Sequence, residues 1–389
     1  MGSGASHSNG GQLSYRYVAP FADQGVPLKA IQWLFQQDGP LRFKPEADAR
    51  QWRWLVQFLM HCRADISRTT TARLLALGEL SRQSLVQLEP VLPKAHFAWR
   101  DAGKLVVYRS RKLFEATVAR GAGDAIGQVL MPAQCVALEP ALAAAQEMLA
   151  GGIYNRGEAV ADCHAFCLAL FAQIKMHPRF VGLVHTQVRR FVKARGDIAG
   201  IETDAGVLAA DAYVLAAGIR SRDLATSAGL YLPLYPIKDY SLTAPIGPGD
   251  LAPRVSVTDF ERKVLYARIG EKLRVAAMAA MADIVGENTH LDPRRIAGLS
   301  AQVRAMMPRA ADYGKLTAWA GLRPATPSSA PIIGATPCNN LWLNVGHGGL
   351  GFTFACGSAR LLADAMQGEA PPISMDGLRL PQHRPRARR

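Results

Sequence analysis

The stretch that decides the fold is Leu341-Trp342-Leu343-Asn344-Val345-Gly346-His347-Gly348-Gly349-Leu350-Gly351. A mostly apolar run, patterned as a strand, feeds four glycines, and a helical pattern follows from Phe352 to Met366. A strand that passes through a Gly-rich turn into a helix lets backbone approach a ligand closely, and the helix start offers free N–H groups and a positive dipole. Such a start suits a phosphate or the electron-rich pyrimidine edge of a reduced flavin. The spacing Gly346-x-Gly348-Gly349-x-Gly351 is not the Gly-x-Gly-x-x-Gly of dinucleotide sites. Taken alone, the same residues equally describe a tight strand–helix turn with no ligand.

Working outward, Asp211 to Gly218 reads as a buried strand running into Ala216-Ala217-Gly218. Before it, Val188 to Arg195 and Gly200 to Thr203 form a hairpin across Arg195-Gly196-Asp197, and Phe180 to Val184 reads as a strand. Gly151 to Tyr154 is a strand and Asp162 to Lys175 a helix. Upstream, the pattern from Ile31 to Glu89 is helical, with Trp52, Leu55, Val56, Leu59 and Met60 recurring at three and four. Lys104 to Tyr108 is a strand, Leu234 to Ala282 is rich in strands, and Pro293 to Met307 is a helix. In Trp319-Ala320-Gly321-Leu322-Arg323-Pro324, one arginine sits in a rigid apolar stretch, which suits bidentate capture of a carboxylate or a structural ion pair. Strands alternating with helices in two separated blocks predict an α/β domain interrupted by inserted segments.

The 389 residues are 49% apolar and 20% charged, which excludes a disordered chain and a small disulfide scaffold. The longest apolar run, Val275 to Val285, contains Asp283 and is too short to span a bilayer. The net charge is +14, and five arginines with no acid lie between Arg379 and Arg389. No zinc finger or RNA-binding signature accompanies that charge, so no nucleic-acid partner is expected and the tail reads as solvated. Six cysteines are scattered; Cys163-His164-x-x-Cys167 lacks a second ligand pair at zinc spacing, so no metal is expected.

Together and in this order, several blocks resemble the FAD-dependent amine oxidoreductases of the D-amino acid oxidase superfamily, and within it the bacterial D-amino acid dehydrogenase small subunits. They are Asn9-Gly10-Gly11-Gln12-Leu13-Ser14, Gly25-Val26-Pro27-Leu28-Lys29-Ala30-Ile31, Tyr235-Pro236-Ile237-Lys238, Trp319-x-Gly321-Leu322-Arg323-Pro324-x-Thr326-Pro327, the Leu341 to Gly348 stretch, and Ala355-Cys356-Gly357-Ser358. The family opens with a βαβ unit whose Gly-x-Gly-x-x-Gly turn cradles the FAD pyrophosphate. This sequence starts at the loop after it, so the element is expected to be missing and FAD binding to suffer. Asp239 and Arg156 stand where the family pattern has Gly and Pro.

The resemblance implies an FAD-binding domain from residues 1–30, 151–229 and 331–370, with its first βαβ missing. Residues 31–150 and 230–330 would form an inserted α+β substrate domain with an antiparallel sheet, and 371–389 a basic tail. It implies hydride transfer from Cα of a D-amino acid such as D-alanine to FAD, giving a 2-oxo acid and ammonia, with electrons passed to a quinone or other respiratory acceptor. Arg323 would clamp the substrate carboxylate, and Lys238 and Tyr240 would line the substrate side. Asn9, Gly10, Gly11, Gln12, Val188, Ala217, Gly218, Gly334, His347, Gly348, Gly349, Leu350 and Gly351 would hold the cofactor. Tyr266 is a weaker carboxylate candidate, because its offset from the following strand does not fit. A cytoplasmic protein, peripheral on the inner face of the plasma membrane, is expected. The alternatives are an oxygen-using glycine or D-amino acid oxidase, a subunit of a hydrogen-cyanide-forming complex, and an inactive fragment with only a binding role.

Overall fold

The computed structural model describes residues 1–18, 20–22, 42–121, 127–182, 186–277, 283–284 and 286–381. The Gly25 to Ile31 block and the tail beyond residue 381 lie outside these. An N-terminal loop leads to β1 (Gln12–Leu13); β2 (Arg42–Phe43) precedes α1 (Ala49–His61) and α2 (Ala64–Leu88). Next come β3 (Lys104–Tyr108), α3 (Arg111–Arg120), β4 (Gln128–Leu130), α4 (Pro132–Leu138), β5 (Gly151–Asn155), β6 (Ala159–Val160) and α5 (Cys163–Lys175). A hairpin of β7 (Val188–Ala194) and β8 (Asp197–Thr203), with β9 (Gly206–Leu208), precedes β10 (Tyr213–Leu215) and α6 (Ser221–Ser227). Then follow β11 (Tyr235–Pro245), β12 (Ser256–Asp259), β13 (Val264–Ile269), β14 (Lys272–Ala277), β15 (Asp283–Ile284) and α7 (Pro293–Met306). The chain closes with β16 (Thr317–Ala325), β17 (Ile332–Ala335), β18 (Leu341–Val345) and α8 (Gly351–Gln367).

Two sheets position the site. In the smaller, β18 lies between β10 and β17. β10 and β18 are parallel, Tyr213 opposite Leu341 and Leu215 opposite Leu343, so both strands release their following turns at one edge. The larger sheet has ten strands in the order β2-β15-β11-β14-β13-β12-β3-β5-β4, with β16 along the other side of β11. β5, which the sequence placed at the opening of the cofactor block, is paired between β3 and β4 of this sheet. Residues 180–182 form no strand, against the expected strand from Phe180.

One face of the large sheet carries Tyr240, Leu242, Tyr266 and Val275, packed under Leu299 and Val303 of α7. Pairing of large apolar side chains on alternate positions is what a half-covered strand requires. Helices α2 and α8 cross closely: a Cβ on Gly357 would sit 2.8 Å from Ser81 N, and Leu77, Phe354 and Leu361 share a core there. The expected helical spacing holds in α1, whose apolar residues Trp52, Val56, Leu59 and Met60 are exposed. The buried face is Gln51, Trp54 and Phe58. Gln51 is tolerated inside because its amide donates to Tyr235 Oη (2.9 Å) and Lys44 O (3.1 Å) and accepts from Glu46 N, and Trp54 Nε1 donates to Ala325 O.

Candidate active site

At the C-terminal edge of the parallel pair, Ala217-Gly218 follows β10 and Gly346 to Gly351 follows β18. In open parallel sheets this edge is where ligands sit. Gly218 (φ +59°), Gly334 (φ +112°) and Gly348 (φ +55°) all take the left-handed backbone, and a Cβ on any of them would meet nothing within 4 Å. Packing therefore does not account for these glycines, and each leaves bare backbone beside open space. Gly348 to Leu350 form a short 3-10 turn that runs into α8, whose N-terminus has neither a side-chain cap nor an acidic residue in its first turn. The His347 imidazole is held neutral, burial lowering its pKa to about 4, and its Nε2 is buried without a partner. Glycine backbone beside open space, an uncapped helix start and an orphaned ring nitrogen fit the pyrimidine edge and phosphates of FAD.

The second wall is the sheet face opposite α7. Arg323 of β16 points to it and ion-pairs with Asp239 of β11. Its Nη2 donates to Ala277 O (3.2 Å), and burial lowers the guanidinium to about 10, still charged at neutral pH. A Cβ on Gly349 would lie 2.4 Å from Arg323 Nη1, so the arginine rests directly on the glycine turn. A bridge between Ala325 and His347 joins β16 to that turn.

The N-terminal loop closes the wedge. Ser241 Oγ donates to Ser8 O (2.8 Å) and Arg274 Nη1 to Asn9 O (2.7 Å). Asn9 Oδ1 accepts from Gly11 N (2.9 Å), Gln12 Nε2 reaches Ser256 and Thr258, and Ser14 N donates to Thr353 Oγ1 at the start of α8. Beneath it, Lys104 donates to Ser14 Oγ (3.0 Å) and lies over the Tyr17 ring, while Glu158 accepts from Tyr15 N and Arg16 N. Burial lowers Lys104 to about 8. Asp239, Ser241, Arg274 and Lys104 were not among the sequence-derived site residues. Only Asp239 carried a signal in the sequence, as a residue expected to differ from the resembled family's pattern.

Other expected residues fall elsewhere. Lys238 and Tyr240 alternate with Asp239 and so face away from Arg323; Lys238 donates to His290 O and lies over the Tyr240 ring, and Tyr240 belongs to the core under α7. Tyr266 is in that same core. Gly10 and Gly11 are explained by packing, since a Cβ on them would lie 2.4 Å from Leu265 Cδ2 and 2.3 Å from Ile269 Cδ1. Val188 opens β7 opposite Thr203, and Leu350 packs beside the core between α2 and α8.

Comparison with known proteins shows the family and the fold. The family described as FAD dependent oxidoreductase (DAO) matches residues 1–365. D-amino acid dehydrogenase 2 of Pseudomonas aeruginosa is 47% identical over 374 residues, covering 96% of this chain and 88% of that protein. D-amino acid dehydrogenase 2 of Ralstonia nicotianae is 43% identical over 385 residues, covering 96% and 90%. Among solved structures, glycine oxidase from Geobacillus kaustophilus superposes with a TM-score of 0.71 at 20% identity, covering 98% of this chain and 90% of that one. Iminodiacetate oxidase from Chelativorans sp. BNC1 gives 0.69 at 18% identity, covering 97% and 90%. The expected loss of the opening βαβ unit draws no support from these matches.

Proposed function

This chain belongs to the FAD dependent oxidoreductase family, and from that premise we propose that it oxidises D-amino acids to 2-oxo acids and ammonia as a dehydrogenase. The observation that carries the reading is Arg323 lying against the Gly348 to Gly351 turn, beside the edge of the parallel strands. Gly218, Gly334, His347 and the start of α8 are the groups that would hold the cofactor. Bound FAD would supply the two-electron acceptor for the hydride that leaves Cα, once the substrate ammonium has lost a proton to water and its nitrogen can form the imine.

The chain's own residues supply position and charge. Arg323 takes the substrate carboxylate by two parallel hydrogen bonds, which fixes which face of Cα is presented and hence chirality. Its partial burial strengthens that contact relative to water. The neutral His347 adds no charge beside the glycine turn. The imino acid product leaves and hydrolyses in water. Gly349, without a side chain, lets the guanidinium sit against the turn.

The electron acceptor we propose is a quinone of the respiratory chain, reached at a membrane surface. Supporting a peripheral contact, α1 exposes Trp52, Val56, Leu59 and Met60 next to Arg53 and Arg63, an apolar stripe with basic flanks. Among the described residues, no helix is long and apolar enough to cross a membrane. The two-domain division, with the cofactor held by residues 1–30, 151–229 and 331–370, belongs to this proposal, the strand β5 excepted.

The test is to load the protein with FAD and follow its absorbance without oxygen. D-alanine should bleach the flavin and a soluble quinone should restore it faster than air does. Bleaching by L-alanine alone, or restoration faster by oxygen, would overturn the reading.

A further inference from the structure

The Arg323–Asp239 pair places a carboxylate where the substrate carboxylate would go. Asp239 is buried, and while one oxygen meets Arg323, its Oδ1 is buried with no hydrogen-bond partner. A buried carboxylate oxygen left without a donor is costly, so it points to a donor that arrives with a ligand. On the same face Ser241 Oγ donates to Ser8 O and Arg274 Nη1 to Asn9 O, while Arg274 Nε is itself buried without a partner, so none of these donors meets Asp239 Oδ1. Opposite Asp239 in the ladder is Gly321, whose missing side chain leaves room for the Trp319 indole.

We infer that Asp239 is a specificity-determining residue that receives the substrate ammonium while Arg323 receives its carboxylate. The inference rests on the function proposed above. With Arg323 and Asp239 paired, the site is electrically neutral. A ligand that brings only a carboxylate must break the pair and leaves Asp239 a buried, unpaired anion. A zwitterion breaks one ion pair and forms two, each oppositely charged group of the site gaining a partner. Asp239 therefore selects amino acids with a free ammonium against 2-hydroxy acids, simple carboxylates and N-acylated amino acids.

The experiment uses the FAD-loaded protein and its variants Asp239→Asn and Asp239→Glu. Binding of propionate and of D-lactate is read by calorimetry without oxygen, and the Kd of D-alanine from the concentration dependence of flavin bleaching. The expected result for Asp239→Asn is propionate and D-lactate binding tighter by about tenfold or more, and D-alanine binding weaker by about tenfold or more. Asp239→Glu keeps the parent's preference, and it decides the matter if the Asn variant does not fold. A ratio of propionate to D-alanine affinity unchanged in Asp239→Asn, or lost in Asp239→Glu, overturns the inference. If instead no D-amino acid bleaches the parent flavin, the proposed function has failed, while the propionate arm still reads Asp239.

Discussion

Substrate binding is expected to depend most on Arg323. It stands on a strand whose other side chains are set by the ladder with β11, and it contacts the glycine turn, Asp239 and Ala277 O. Arg323→Ala removes a partly desolvated charge contact with substrate, a loss of ~2–5 kcal/mol and so roughly 30-fold or more in kcat/KM. Flavin content should not change; equal loss of flavin and activity would make Arg323 a structural residue. Gly349→Ala is expected to act through the same arginine. Its new Cβ would lie 2.4 Å from Nη1, forcing the guanidinium aside. A shift of about 1 Å in a positioning group costs on the order of 100-fold in rate, so Gly349→Ala should lose kcat/KM while keeping its flavin. The arginine and the turn were both legible in the sequence, because Gly and Pro bracket one and an apolar strand feeds the other. The pairing with Asp239 was not, since it joins strands far apart in the chain through an alternation that local spacing does not reveal.

At the scale of elements, the strand–turn–helix from Leu341 to Gln367 is legible because Gly346 and Gly348 mark positive φ and the strand is apolar on its buried side. The helix α1 stands within the stretch its periodicity marked, and its apolar positions face outward for a physical reason. Apolar periodicity assumes that polar side chains avoid the interior, whereas Gln51 is inside with its hydrogen bonds met. Lys238 and Tyr240 were placed on the substrate side by resemblance, and strand alternation puts them on the other face. The exposed stripe has a consequence: Val56→Asp in α1 should weaken binding to vesicles containing anionic lipid, read by co-sedimentation at low salt, with no change in flavin bleaching by D-alanine. Equal sedimentation of parent and variant would remove α1 from the membrane account. The N-terminal loop offers a stability test. Lys104 titrates at about 8 in the folded chain against 10.5 for an ordinary lysine. Between those values the unfolded chain binds more protons, so stability rises with pH, by about 3 kcal/mol across the window. Lys104→Met should be the more stable form at pH 7 relative to this trend, and the difference between parent and variant should shrink from pH 8 to 10. Denaturant midpoints along a pH series would show it; a difference constant with pH would contradict it.

For the whole molecule, the two sheets act as facing walls. The parallel pair supplies bare backbone and an uncapped helix start, the large sheet supplies Arg323 and Asp239, and the N-terminal loop is pinned between them by Ser241, Arg274 and Thr353. This division was visible only in outline from the order of motifs, because the assignment of β5 depends on pairing with β3 and β4. The assembled site is expected to take two electrons from Cα of a D-amino acid. The most direct measurement is a single turnover without oxygen on FAD-loaded protein. D-alanine should yield one pyruvate and one ammonia for each flavin bleached, and L-alanine none. Bleaching without pyruvate and ammonia in that proportion, or no bleaching by any D-amino acid, would contradict the account.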